Sequence, residues 1–182
     1  IGNGNVAADV ARMLALTREE LESTDTADHA IEALAASSVR EIVILGRRGP
    51  AQAAFTNPEL RELGEMVAAD VVVDSDECEL DEVSREYLET EADATARKNV
   101  EILKEFAQRA PAGKPKRIVL RFLRSPVEIQ GDGRVERIVV ARNELVRDES
   151  GRIRARDTGE RETIECGLVL RSIGYKGTAL PG

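Results

Sequence analysis

Gly2, Gly4 and Ala7, in the opening Ile-Gly-Asn-Gly-Asn-Val-Ala-Ala-Asp, form a Gly-x-Gly-x-x-Ala turn set where a strand should end and a helix begin. In such a turn the first glycine bends the chain sharply, the second lets backbone approach a pyrophosphate, and the small third residue lets helix and sheet pack closely. The N–H groups that open the helix then face the ligand's negative charge. Residues 5–16 fit that helix, with Val6, Val10, Met13 and Leu14 at helical spacing.

A second signal agrees with the first. The apolar run Glu41-Ile-Val-Ile-Leu-Gly46 predicts a strand that ends in Arg47 and Arg48. An NAD site usually carries an acidic residue there for the ribose 2′-OH. Two guanidiniums suit a 2′-phosphate instead, because each offers a fork of donors and a permanent charge. The pair points to NADP. Without a ligand, the same residues would make an ordinary strand-to-helix turn and a solvated arginine loop. Arg47 stands 43 residues after Gly4, whereas the discriminating residue normally follows by about 20. An insertion would explain the excess: Thr17 to Ser38 fit further helix, interrupted near Ser23-Thr-Asp25, where a capping residue could restart it.

Downstream, Asn57-Pro58 predicts a helix start with Asn as cap, carrying Leu60, Leu63 and Met66 on one face. A short buried strand is expected at 70–73, and helix over 79–109 with Val100, Leu103 and Phe106 buried. After Pro111-Ala-Gly-Lys-Pro115 the period changes. Residues 117–129 and 135–143 alternate apolar and polar around Gly131-Asp-Gly133, with further turns at Asp148-Glu-Ser-Gly151 and Asp157-Thr-Gly159. The last strong strand is expected at Gly167–Gly174. The fold class is therefore α/β: a Rossmann-like, mostly parallel sheet with helices on one side and an antiparallel meander crossover.

The totals exclude some classes. A chain of 182 residues fits one domain. A net charge of −8 argues against nucleic acid as the main partner, and no apolar run reaches the length of a membrane span. Cys78 and Cys166 are lone cysteines, which fit a reducing cytoplasm with neither a disulfide framework nor a zinc site. No metal site is expected, and His29 lies in an Ala-rich helical segment without ligand spacing. Residues 74–93 hold ten acidic side chains against Arg85, and residues 97–124 hold nine basic ones against Glu101 and Glu105. The two segments fit solvated faces, or else a basic docking surface built on Lys98, Lys104, Lys114, Lys116 and Arg117.

Five stretches, in order, resemble the ferredoxin–NADP reductases of the adrenodoxin reductase type: IGNGNVAADVAR at 1–12, TDTADHAIEAL at 24–34, GRRGPAQAAFTNPELREL at 46–63, RFLRSPVEI at 121–129 and LVLRSIGYKG at 168–177. The resemblance implies a two-domain flavoenzyme in which an FAD domain surrounds an inserted NADP domain. Hydride would pass from NADPH to FAD, and electrons would leave singly to a ferredoxin-type iron–sulfur protein. Residues 1–182 would then be the NADP domain alone, inactive in isolation, with the FAD domain of the same parent chain as its first partner. By the same resemblance, Asn3, Gly4, Asn5 and Val6 match the pyrophosphate turn, and Arg47 and Arg48 match the pair that reads the 2′-phosphate. Glu59 matches an acidic residue that completes the site. Asp9 matches the aspartate near the nicotinamide–flavin junction and is the catalytic candidate. Ala8 departs from the family's usual Leu. Asp9 and Glu59 also fit plain first-turn carboxylates of their helices.

Only Ile1 stands before the glycine turn, where a dinucleotide domain needs a whole, normally central strand. The expectation is a chain cut from a longer one, with Pro181-Gly182 a second cut. A stand-alone, non-catalytic NADP-binding or sensing module is the alternative. A disulfide reductase fragment is disfavoured by the absence of paired cysteines.

Overall fold

The computed structural model describes residues 1–174; Tyr175 and the Pro181-Gly182 end lie outside them. Three helices come first: α1 (Asn5–Ala15), α2 (Arg18–Glu22) and α3 (Asp28–Ala35). Thr17 closes a capping box with Glu20 that starts α2. The predicted break near Ser23 separates α2 from α3, so the long insertion before the second strand is a helical pair.

Strands β1 (Glu41–Leu45), β2 (Ala69–Val73) and β3 (Lys116–Arg121) form a parallel sheet in the order β1-β3-β2. Their alternation sorts residues to two faces. Ile42, Ile44, Val71, Val73, Ile118 and Leu120 join a core with Ala7, Ala8, Ala11, Leu60, Leu63, Leu103 and Phe106. That side carries α1, α4 (Asn57–Leu63) and α6 (Ala94–Gln108). Val43 and Leu45 look the other way, toward Ile138, Val140 and Ile164 of a second sheet. This sheet is antiparallel, β4 (Arg124–Gln130), β5 (Arg137–Arg147) and β6 (Ile153–Glu165), in chain order.

Several expectations are corrected. In α1 the buried stripe is Ala7, Ala8, Ala11 and Ala15, while Val6 is 55% exposed and Met13 is on the surface. Alanine lets the helix lie close to the sheet, and that requirement overrides residue hydrophobicity. The helix expected over 79–109 is two, α5 (Glu82–Thr90) and α6, each opened by an aspartate. Asp81 accepts from Ser84 N–H at 2.6 Å and Asp93 from Ala96 N–H at 2.8 Å. The alternating run 117–129 is split between the two sheets at Phe122-Leu123, where Leu123 adopts φ +54. Asp157-Thr-Gly159 is no hairpin turn but a bulge within β6, opposite Arg142. Residues 167–174 are not a buried strand: Leu168 and Ile173 are 55% and 67% exposed, and Leu170 and Ser172 exchange ladder bonds with Ile1. One residue cannot complete a ladder.

Asp70, buried on β2, ties the α6–β3 connection to the sheet. It accepts N–H bonds from Ala112 (3.0 Å), Gly113 and Lys114 (both 2.9 Å). Burial acts to raise this carboxyl, but the three N–H groups and the Lys114 charge outweigh it and hold it below the usual carboxylate range.

Candidate dinucleotide-binding site

The glycine turn and the arginine loop sit side by side at the carboxyl end of β1. Gly2 N–H donates to Leu45 O at 3.0 Å. Gly2 has φ +124, and a Cβ there would fall 2.2 Å from Ser172 O. Gly2→Ala should therefore destabilise the chain by about 2 kcal/mol or more, from backbone strain plus the clash. An unchanged urea midpoint would contradict this geometry.

Gly4 differs from Gly2. It precedes α1 with φ −128, and a Cβ would meet Ala54 O at an ordinary 3.6 Å. Nothing among the described residues demands glycine at this position. Gly4 bridges Ala54, whose N–H donates to Asn3 O at 2.9 Å. The Asn3 side chain lies against Gly46, where a Cβ would sit 2.8 Å from Asn3 Nδ2. Asn5 and Val6 open α1, and as the first helical residues their N–H groups have no intrahelical acceptor.

The Asn5 side chain turns away from that opening. Its Oδ1 accepts from Thr56 N–H at 2.8 Å and its Nδ2 donates to Thr56 Oγ1 at 3.4 Å, so α4 is capped by a residue of α1. Asn57 is not the cap. Its amide donates to Asn99 Oδ1 (2.8 Å) and Thr95 O (3.0 Å), and Asn99 in turn donates to Phe55 O.

The loop after β1 is pinned from the second sheet. Buried Asn143 donates to Arg47 O at 2.9 Å, and Leu123 N–H donates to Arg48 O at 3.1 Å. The backbone is thus fixed while the side chains stay uncommitted: Arg47 is exposed, Arg48 half-buried, and neither makes an ion pair among the described residues. Burial, and then the like charge of Arg47, pull the Arg48 guanidinium below its ordinary proton affinity. Gln52 follows, buried, donating to Ser84 Oγ at 3.3 Å while its Oε1 has no partner among the described residues.

Asp9 and Glu59 are brought together, but by Arg12. Its guanidinium pairs with Asp9 on α1 and with Glu59, at 2.9 Å, and Glu62 on α4. The sequence alone does not single out Arg12, Asn143 or Gln52. Only Arg12 leaves a local trace, its i,i+3 spacing from Asp9. The basic segment is largely spent on the chain itself. Lys98 pairs with Glu101, Arg117 with Glu41, and Lys114 and Lys116 donate to Met66 O and Leu14 O. Four of the five side chains expected to form a docking surface therefore have internal partners.

Comparison with known proteins finds close relatives. The NADPH-ferredoxin reductase FprA of Mycobacterium tuberculosis is 51% identical over 187 residues, taking in all of this chain and 39% of the relative. This chain is homologous to the adrenodoxin reductase-type NADPH–ferredoxin reductases. The mitochondrial NADPH:adrenodoxin oxidoreductase of Salvelinus fontinalis is 41% identical over 188 residues, 97% of this chain and 36% of the relative. The structure of Mycobacterium tuberculosis FprA in complex with NADPH superimposes with a TM-score of 0.90 at 50% identity, again over the whole chain and 39% of that protein. No protein-family model matches the chain. The chain thus spans about two fifths of the length of these reductases, and the shared fold is α/β, as expected for a dinucleotide-binding domain.

Proposed function

We propose that this chain is the NADP(H)-binding portion of a flavin-dependent ferredoxin–NADP reductase, in which hydride passes from NADPH to FAD and electrons continue to an iron–sulfur protein. The observation that carries the reading is the pair Arg47 and Arg48, held on a fixed backbone with no anion of the chain's own among the described residues. Two adjacent guanidiniums repel each other, and a phosphate relieves that repulsion with charge-assisted bonds. Gly4 supports it, since none of the described residues requires a glycine there while a close-lying pyrophosphate does. The opening N–H groups of Asn5 and Val6 would meet that pyrophosphate. Glu59, one turn into α4, would complete the site, and Asp9 would lie toward the nicotinamide.

Flavin, held by another part of a longer protein, supplies the conversion of a hydride into single electrons. Residues 1–182 would then form one domain of that protein. An apolar groove of about 420 Å³ favours this, lined by Val10, Leu14, Ile42, Ile44, Ile164 and Leu168 among others. It runs along the free edge of β1. It closes at Ile1, which is bonded to Leu170 and Ser172 on one side, while Gly2 bonds Leu45 on the other. The unpaired Cys78 and Cys166 fit a cytoplasmic setting. Burial, and then the charge of Glu77, push the Cys78 thiol up to about 11, which disfavours its thiolate.

Calorimetric titration of the longer protein with NADP and NAD tests the assignment. NADP should bind at least about tenfold more tightly, given roughly 1.5–3 kcal/mol for a hydrogen bond to a charged group. Equal affinities would mean that the arginine pair does not read a 2′-phosphate.

A further inference from the structure

We propose that Arg12 is a positioning residue of the dinucleotide site, holding the Glu59 carboxylate, as an anion, against α1. The inference rests on the proposal above that Glu59 belongs to the NADP site.

The geometry begins at the junction of two helices. Gly4 bridges Ala54 and Asn5 caps Thr56, so α1 and α4 start from one point. Glu59 lies one turn along α4, and Arg12 lies two turns along α1. Glu59 Oε2 is shielded from water and has no hydrogen-bond partner among the described residues, and the Arg12 guanidinium 2.9 Å away is its counter-charge. Asp9 and Glu62 share the same guanidinium. Three carboxylates gathered in one place repel one another, and the shared guanidinium offsets that repulsion. Arginine suits such a cluster because it does not deprotonate and its planar fork serves several acceptors at once. Burial works against its charge here, but the Asp9 hydrogen bond and the charges of Glu59 and Glu62 outweigh burial and raise its proton affinity.

No other cation among the described residues substitutes for it. On α6, the other helix packed against α4, Lys98 and Glu101 pair with each other, and Arg61 lies beside Glu101. Without Arg12, Glu59 would face Asp9 and Glu62 alone. Repulsion from those two carboxylates would then turn Glu59 away from α1 and take its charge out of the site.

The test is a double-mutant cycle on calorimetric NADP affinity in the full-length protein: the native sequence, Arg12→Met, Glu59→Gln, both together, and Arg12→Lys. Arg12→Met and Glu59→Gln should each weaken NADP by about tenfold, the two together by no more than either alone, and Arg12→Lys should restore most of the affinity. Losses that add, or an Arg12→Met affinity equal to the native one, overturn the proposal, because a mere strut between helices does not act through the Glu59 charge. If Arg12→Met fails to fold, Arg12→Gln, which keeps side-chain donors without the charge, carries the same comparison. Arg47→Ala with Arg48→Ala serves as the control. If it leaves NADP affinity unchanged, the site reading itself fails. If it weakens NADP while the Arg12 and Glu59 losses add, only the present proposal does.

Discussion

Glu77→Ala should destabilise the chain by about 3–5 kcal/mol, the range for stripping one partner from a buried ion cluster. Glu77 is the hinge carboxylate between the two sheets. It accepts from Arg121 Nε at 2.9 Å and from Phe122 N–H at 2.7 Å, and it lies 2.9 Å from the Arg124 guanidinium. Its side chain is 10% exposed and that of Arg124 is 12%. Alanine would leave two guanidiniums with Glu162 alone and orphan a backbone N–H at the point where the chain changes sheets. Glu162, 40% exposed, makes a better-screened contribution, so Glu162→Ala should cost about 1 kcal/mol. Urea denaturation followed by circular dichroism separates the two. A Glu77→Ala variant within about 1 kcal/mol of the native chain would mean that the network contributes geometry rather than stability.

Removing the arginine pair should have the largest effect on binding. Each of Arg47→Ala and Arg48→Ala is expected to weaken NADP by roughly tenfold to a hundredfold, following about 1.5–3 kcal/mol per charge-assisted bond. NAD affinity should stay within about threefold, because NAD lacks the phosphate that these side chains would meet. The loop backbone should not move, since Asn143 and Leu123 hold it through carbonyls that both substitutions retain. Competition by 2′,5′-ADP provides a second measure, and should vanish with the pair. Parallel losses of NADP and NAD would place the arginines in general electrostatic attraction instead of 2′-phosphate recognition.

How much of the fold and site is legible in the chain follows from how local each demand is. Gly2 announces itself because one residue's backbone cannot take φ +124 with a side chain in that space. Strand β1 and the Arg pair are equally local, a short apolar run and the two residues after it. The face of α1 is not legible, since helical spacing offers both an alanine stripe and a Val-Met stripe, and the choice depends on how near the sheet lies. Nor is the division of residues 117–129, because an alternating strand looks the same in a parallel sheet as in an antiparallel one. The Arg12 cluster and the Glu77 network join residues some 40 to 50 positions apart, for which no short-range pattern exists.

The cap that Asn5 supplies to Thr56 reaches across 51 residues. Helix α4 has only seven residues, too few to persist by itself in water. Its first turn therefore depends on contact with α1, and with it the place of Glu59. Any weakening of the α1–α4 junction would consequently register first as a frayed, poorly ordered acidic edge, while the sheet and the glycine turn still hold.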